Sequence, residues 1–153
     1  MLTIGDPAPD FSLDSNEGRI DSQSLRGTRY VLFFYPKDDT PGCTTEACQF
    51  RDLRAAFDAA GVHVFGVSIL DAKSKKKFAQ KHALNFPLLA DADHTLAEAF
   101  GVWVEKSMYG KKYMGIQRST FAVDADGRIS HAWEKVTPDG HADEVLRALT
   151  TNH

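Results

Sequence analysis

A chain of 153 residues has room for one ordinary domain, and size scaling has it bury about two-thirds of the surface its unfolded form exposes. With 42% hydrophobic and 25% charged residues it is not a disordered, collagenous or low-complexity chain, and a formal charge of -3 supplies no overall field for nucleic acid or an anionic membrane. No apolar run approaches the roughly 18 residues of a membrane span, and residues 1–10 lack the basic start and apolar stretch of a secretory signal. The expectation is therefore a cytoplasmic protein with a single domain over residues 1–153, binding neither nucleic acid nor membrane.

Taken in chain order, residues 29–35 (Arg-Tyr-Val-Leu-Phe-Phe-Tyr) form an aromatic and β-branched run stopped by Pro36, the pattern of a central strand buried on both faces. Thr40 can cap a helix that has Pro41 in its first position and Gly61 at its end, with Phe50, Leu53, Phe57 and Ala60 as its buried stripe. Residues 62–69 are a second buried strand, so strand, helix and strand make a parallel pair joined by a right-handed crossover. An exposed helix is expected over 73–82, where Lys73, Lys75, Lys76, Lys77 and Lys81 form a solvated basic face. A short strand at 86–89, a short helix at 95–100 and an exposed loop at 106–113 follow. Residues 120–123 and 129–133 flank the Asp-Ala-Asp-Gly turn and read as an antiparallel pair, and 141–149 closes the chain as a helix. Trp103 and Trp133 are expected as packing anchors. This order suits a thioredoxin-like α/β fold, a central mixed β-sheet with helices on both faces.

The chain has two cysteines, Cys43 and Cys48, too few for a disulfide framework, and cytosolic thiols stay reduced unless they turn over chemically. Cys43 falls in the first turn of the helix capped at Thr40, where unpaired backbone N–H groups and the positive end of the macrodipole favour an anion such as a thiolate. Helical spacing turns Cys43 toward the apolar face with Ala47 and Phe50, and Cys48 toward the face of Arg51, Asp52 and Ala55. Residues five apart in an intact helix have Cα atoms about 8.5 Å apart, beyond the roughly 7 Å limit of an unstrained disulfide, so the two bond only if the first turn unwinds. Zinc is disfavoured because none of the six histidines stands at ligand-pair spacing near these thiols, and no histidine is needed as a base if the thiol is already ionised. No glycine-rich dinucleotide fingerprint is present, so no cofactor is expected.

Residues 34–52 (Phe-Tyr-Pro-Lys-Asp-Asp-Thr-Pro-Gly-Cys-Thr-Thr-Glu-Ala-Cys-Gln-Phe-Arg-Asp) closely resemble the active site of the peroxiredoxins of the peroxiredoxin Q or bacterioferritin-comigratory subfamily. The resemblance continues through Gly-Val-Ser at 66–68, Phe-Pro-Leu-Leu at 86–89, Gly-Val-Trp at 101–103 and residues 110–121, covering nearly the whole chain. It implies an N-terminal β-hairpin extension to the fold. It also implies that Cys43 is the peroxidatic cysteine, with Pro36, Thr40 and Arg118 completing the catalytic set, and that the peroxide is held by Thr40, Gly42, Cys43 and Arg118. Cys48 matches the resolving cysteine, and Glu46 matches an acid common in the family just after the reactive cysteine, either orienting backbone or arginine groups or simply an acid favoured by the helix dipole. The implied reaction reduces hydrogen peroxide and small organic hydroperoxides through a Cys43 sulfenic acid and a Cys43–Cys48 disulfide, recycled by thioredoxin or a similar dithiol, in a monomer. One departure is Lys75, where relatives often have histidine after the serine. Two other functions fit the residues alone. A thiol-disulfide oxidoreductase is one, although Cys-x-x-Cys is missing, and a redox sensor or chaperone-like binding protein is the other.

Overall fold

The computed structural model describes residues 1–151, and His153 lies outside them. Its strands are β1 (Ser12–Ser15), β2 (Gly18–Asp21), β3 (Arg29–Phe34), β4 (Val62–Ser68), β5 (Leu88–Ala90), β6 (Trp103–Met108), β7 (Lys111–Ile116), β8 (Ser119–Val123) and β9 (Ile129–Trp133). The helices are α1 (Pro41–Asp52), α2 (Arg54–Ala59), α3 (Ala72–His82), α4 (Thr95–Ala99) and α5 (His141–Thr150), with a short 3-10 turn at Ser22–Leu25. Seven strands form one mixed sheet in the order β2-β1-β5-β4-β3-β8-β9. β3, β4 and β5 run parallel; β8 pairs antiparallel with β3 and β9 with β8, and on the other edge β1 pairs antiparallel with β5 and β2 with β1.

β3 is central because both of its faces are apolar. Val31 and Phe33, with Tyr35 just beyond the strand, face a core built with Cys43, Ala47 and Phe50 of α1, Phe57 of α2, Phe78 of α3 and Val145 of α5. Tyr30, Leu32 and Phe34 face a second core with Leu96 and Ala97 of α4, Phe100, Val102 and Ile116. The period-two alternation of a strand thus sorts one apolar run into two layers, with helices on both sides of the sheet. Phe33 stacks on Phe50 at 4.5 Å between ring centroids, which seats α1 against the end of β3. Trp103 stacks on His94 at 4.2 Å and Trp133 meets His141 edge-on at 5.7 Å, the packing roles expected of them.

Three expectations give way. The helix expected to run unbroken to Gly61 is divided at Leu53, whose φ of -99° and ψ of 6° leave the helical region. There the Arg51 carbonyl accepts from Asn85 Nδ2 at 3.3 Å, Arg51 Nη1 donates to the His82 carbonyl at 2.7 Å, and Arg54 donates to the Asn85 carbonyl. Both partner residues, His82 and Asn85, lie about 30 residues away, beyond the reach of local propensity. The expected loop at 106–113 is instead the β6–β7 ribbon, closed by Tyr109 and Gly110 at φ 52° and 78°, the left-handed pair that suits a two-residue hairpin. Finally, α3 is not basic on an exposed face alone: Lys73, Lys76 and Lys77 are exposed, but Lys75 is fully buried.

Candidate active site

α1 starts where β3 delivers the chain. Thr40 has extended N-cap geometry (φ -94°, ψ 156°) and Pro41 opens the helix, so the first turn carries unpaired N–H groups at Gly42 and Cys43. Cys43 is 1% exposed, and Arg118, from the short link between β7 and β8, donates from Nη2 to Cys43 Sγ at 3.2 Å. The other arm of the same guanidinium donates from Nη1 to Glu46 Oε1 at 2.8 Å. The backbone of Arg118 is held in turn, since its carbonyl accepts from Val136 N at 2.9 Å. Gly42 makes the approach possible: a Cβ there would lie 3.2 Å from Arg118 Nη2 and 3.5 Å from Pro138 Cγ.

A fixed cation stands at the sulfur. Burial works against the charge of Arg118, but Glu46 and Cys43 outweigh it and raise its pKa, so the cation persists at every working pH. Glu46 is fully buried, and that burial pushes its carboxyl up to about 7 even though Arg118 pulls it down. Its Oε2 has no hydrogen-bond partner. Glu46 therefore touches the arginine and lies beyond the first turn, so it is not merely an acid placed there by the helix dipole.

Thr40 departs from one part of its expected role. It takes the N-cap place through its backbone alone, and its hydroxyl donates to the Lys37 carbonyl at 3.0 Å instead of capping the helix. With its proton committed there, Oγ1 is an acceptor, suited to a peroxide O–H and unable to donate to a thiolate at the same time. Pro36 ends the run of β3 and is half-buried in the loop. Cys48 is half-buried on the other side of α1, with Arg51 Nη1 3.6 Å from its sulfur, and both cysteines are free thiols. The intact helix keeps the two sulfurs apart, as their spacing requires. Among the described residues no group of three or more His, Cys, Asp or Glu side chains is placed to hold a metal ion.

Sequence reasoning missed two groups beside the site. Gln49 ties α1 to the loop before α5, donating to Asp139 Oδ1 at 2.7 Å and accepting from Gly140 N at 2.8 Å. Asp38 and Lys75 form a buried ion pair at 3.0 Å beneath the loop that leads into α1. The only sequence signal for the second was an acidic loop followed later by a basic helix.

Residues 4–132 match the family model described as the AhpC/TSA family. The chain is a peroxiredoxin of that family. A putative peroxiredoxin bcp of Coxiella burnetii is 48% identical over 149 residues, 97% of this chain and 99% of that protein. Peroxiredoxin Bcp of Escherichia coli K12 is 45% identical over 149 residues, 97% and 96% of the two chains. Among solved structures, Xanthomonas campestris peroxiredoxin Q superposes with a TM-score of 0.87 at 45% identity, covering 91% of this chain and 89% of that one. A Xylella fastidiosa PrxQ variant superposes at 0.92 with 38% identity, covering 97% and 96%. The architecture of this peroxiredoxin is accordingly thioredoxin-like, and the protein is a thiol peroxidase. That decides among the three functions left open by the residues alone.

Proposed function

We propose that Cys43 is the peroxidatic thiolate and Cys48 the resolving thiol of a hydroperoxide reductase recycled by thioredoxin or a similar dithiol. The observation that carries this reading is the 3.2 Å contact between Arg118 Nη2 and Cys43 Sγ in the first turn of a helix. Cys43 Sγ attacks one peroxide oxygen, forming the S–O bond as the O–O bond breaks. The electron pair leaves on the departing oxygen, which takes a proton to become water or an alcohol, and Cys43 is left as a sulfenic acid. Charge thus moves from sulfur to oxygen beside the fixed guanidinium and the first-turn amides of Gly42 and Cys43, while Thr40 Oγ1 accepts from the peroxide O–H. Pro36 shapes the loop and donates nothing.

Unwinding of the first turn then lets Cys48 attack the sulfenic sulfur. An S–S bond forms, the S–O bond breaks and water leaves, ahead of further oxidation to the sulfinic acid. Thiol exchange with an external dithiol restores both cysteines. A Xanthomonas campestris bacterioferritin comigratory protein, 44% identical, has been studied for alkyl peroxide reduction, which supports small organic hydroperoxides beside hydrogen peroxide as substrates. One domain acting as a monomer in the reducing cytoplasm is the assembly and setting that suit two free thiols working within a single chain.

The test is peroxide-dependent NADPH oxidation coupled through thioredoxin reductase and thioredoxin. Cys43→Ser is expected to abolish turnover. Cys48→Ser is expected to form the Cys43 sulfenic acid once, seen by mass spectrometry or dimedone labelling, while steady turnover falls at least tenfold. Turnover by Cys43→Ser at the parent rate would overturn the assignment.

A further inference from the structure

The loop at 36–40, which sets Thr40 and the start of α1, is gripped from one side by α3. Asp38 turns inward and is 7% exposed. Its Oδ1 accepts from Tyr35 Oη at 2.6 Å and from Lys75 Nζ at 3.0 Å, while its Oδ2 accepts from Ser74 Oγ at 2.6 Å and from Lys75 Nζ at 3.1 Å. Lys75 is wholly buried, donates also to Ser68 and sits 5.1 Å from the centroid of the Tyr35 ring. The next residue, Asp39, adopts a left-handed φ of 60° and is held by Lys81 Nζ at 2.7 Å and His82 Nε2 at 2.9 Å, both from α3. A strained non-glycine residue persists only where its surroundings over-determine it, and here they do so immediately before Thr40.

A buried ion pair is a poor source of net stability, because desolvating two charges offsets most of their attraction. Burial accordingly pushes the Lys75 ammonium below its ordinary value, against the pull of Asp38. What such a pair supplies is a fixed geometry, and the geometry fixed here is that of the loop entering the peroxide site. Tyr35, which holds Asp38, belongs to the same packed core as Cys43.

We propose that Lys75 is a positioning residue for peroxide reduction: through Asp38 it holds the 36–40 loop, and with it Thr40 and the turn that carries Cys43. The proposal rests on the reading of Cys43 as the attacking thiolate. Lys75 touches neither substrate nor sulfur, and its effect is on the order of the site.

Two rates measured on the same folded protein test it: sulfenic acid formation with hydrogen peroxide, which needs Thr40 in place to hold the peroxide, and alkylation of Cys43 by iodoacetamide, which needs the same thiolate beside Arg118 but not Thr40. Lys75→Met is expected to slow the peroxide step at least tenfold and alkylation less than threefold. Because that variant leaves Asp38 buried and unpaired, the double variant Asp38→Asn with Lys75→Met is measured beside it. The double variant contains no buried charge at this position, and it is expected to recover thermal stability while the peroxide step stays at least tenfold slow. A double variant that reacts with peroxide within twofold of the parent would overturn the proposal, as would equal losses in both rates. If the parent protein itself forms no Cys43 sulfenic acid, the reading of Cys43 fails rather than the role of Lys75.

Discussion

Glu46 carries the most legible titration in the protein. Its carboxyl is shut away from water, so the folded chain keeps a proton on it up to about pH 7, whereas its ordinary value is 4.5. Between those values the folded state binds more protons at this group than the unfolded state. Its contribution to stability is therefore full below about pH 4.5 and is lost as pH rises to about 7. Glu46→Gln keeps an acceptor for Arg118 and removes the titration. Urea unfolding of parent and variant from pH 5 to 8 is expected to show the parent losing stability relative to the variant through that window, by up to about 1.4 kcal/mol per pH unit, and levelling above it. A difference that does not change with pH would show that Glu46 is ionised throughout. The same buried carboxyl explains why Arg118 is well placed: one guanidinium arm is spent on Glu46, which leaves the other aimed at sulfur.

Helix α1 has to be rigid while peroxide reacts and loose when Cys48 arrives. Its ties to the rest of the molecule set that balance, and Gln49 is the simplest of them to cut, since its two hydrogen bonds reach Asp139 and Gly140 on an exposed loop. Gln49→Ala is expected to lower stability by about 1 kcal/mol. Gln49 follows Cys48 directly, so for an opening of α1 that runs from the first turn through Cys48 the cost falls by up to the same amount, and the sulfenic acid to disulfide step is expected to speed by up to about fivefold. Stopped-flow fluorescence after a single equivalent of peroxide, with mass spectrometry for sulfinic acid, checks it; the variant should also resist overoxidation. An unchanged disulfide rate would mean that this tie is not among those that open. Two residues on, α1 is also held through Arg51 and Asn85, which stay in place in this variant.

Across the whole molecule, the site depends on how tightly the sheet packs beneath it. Gly66 in β4 lies among Leu88, Phe33 and Tyr35, and a Cβ there would stand 2.8 Å from Leu88 Cδ2, 2.9 Å from Phe33 Cζ and 3.1 Å from Tyr35 Cε1. Gly66→Ala overpacks a filled core and is expected to cost about 1–3 kcal/mol, a fall of several degrees in Tm by scanning calorimetry. Because Phe33 stacks on Phe50 of α1 and Tyr35 holds Asp38, peroxide turnover should fall as well. A variant with parental Tm would show that the three side chains have room to move.

Local pattern was enough to place β3, β4, α3, the β8–β9 pair and α5, because apolar alternation, a cap followed by proline and a turn sequence each act within a few residues. It also placed Cys43 in a first helical turn and set Cys48 on another face of that helix. Arg118 was reachable only through the family resemblance, since nothing near Gln117 or Ser119 announces a partner 75 residues away. The break at Leu53, the burial of Lys75 and the proton committed by Thr40 Oγ1 to Lys37 were decided by the tertiary structure. A charged or polar side chain can satisfy itself in water or against a partner, and only packing brings the partner within hydrogen-bonding distance and takes the water away.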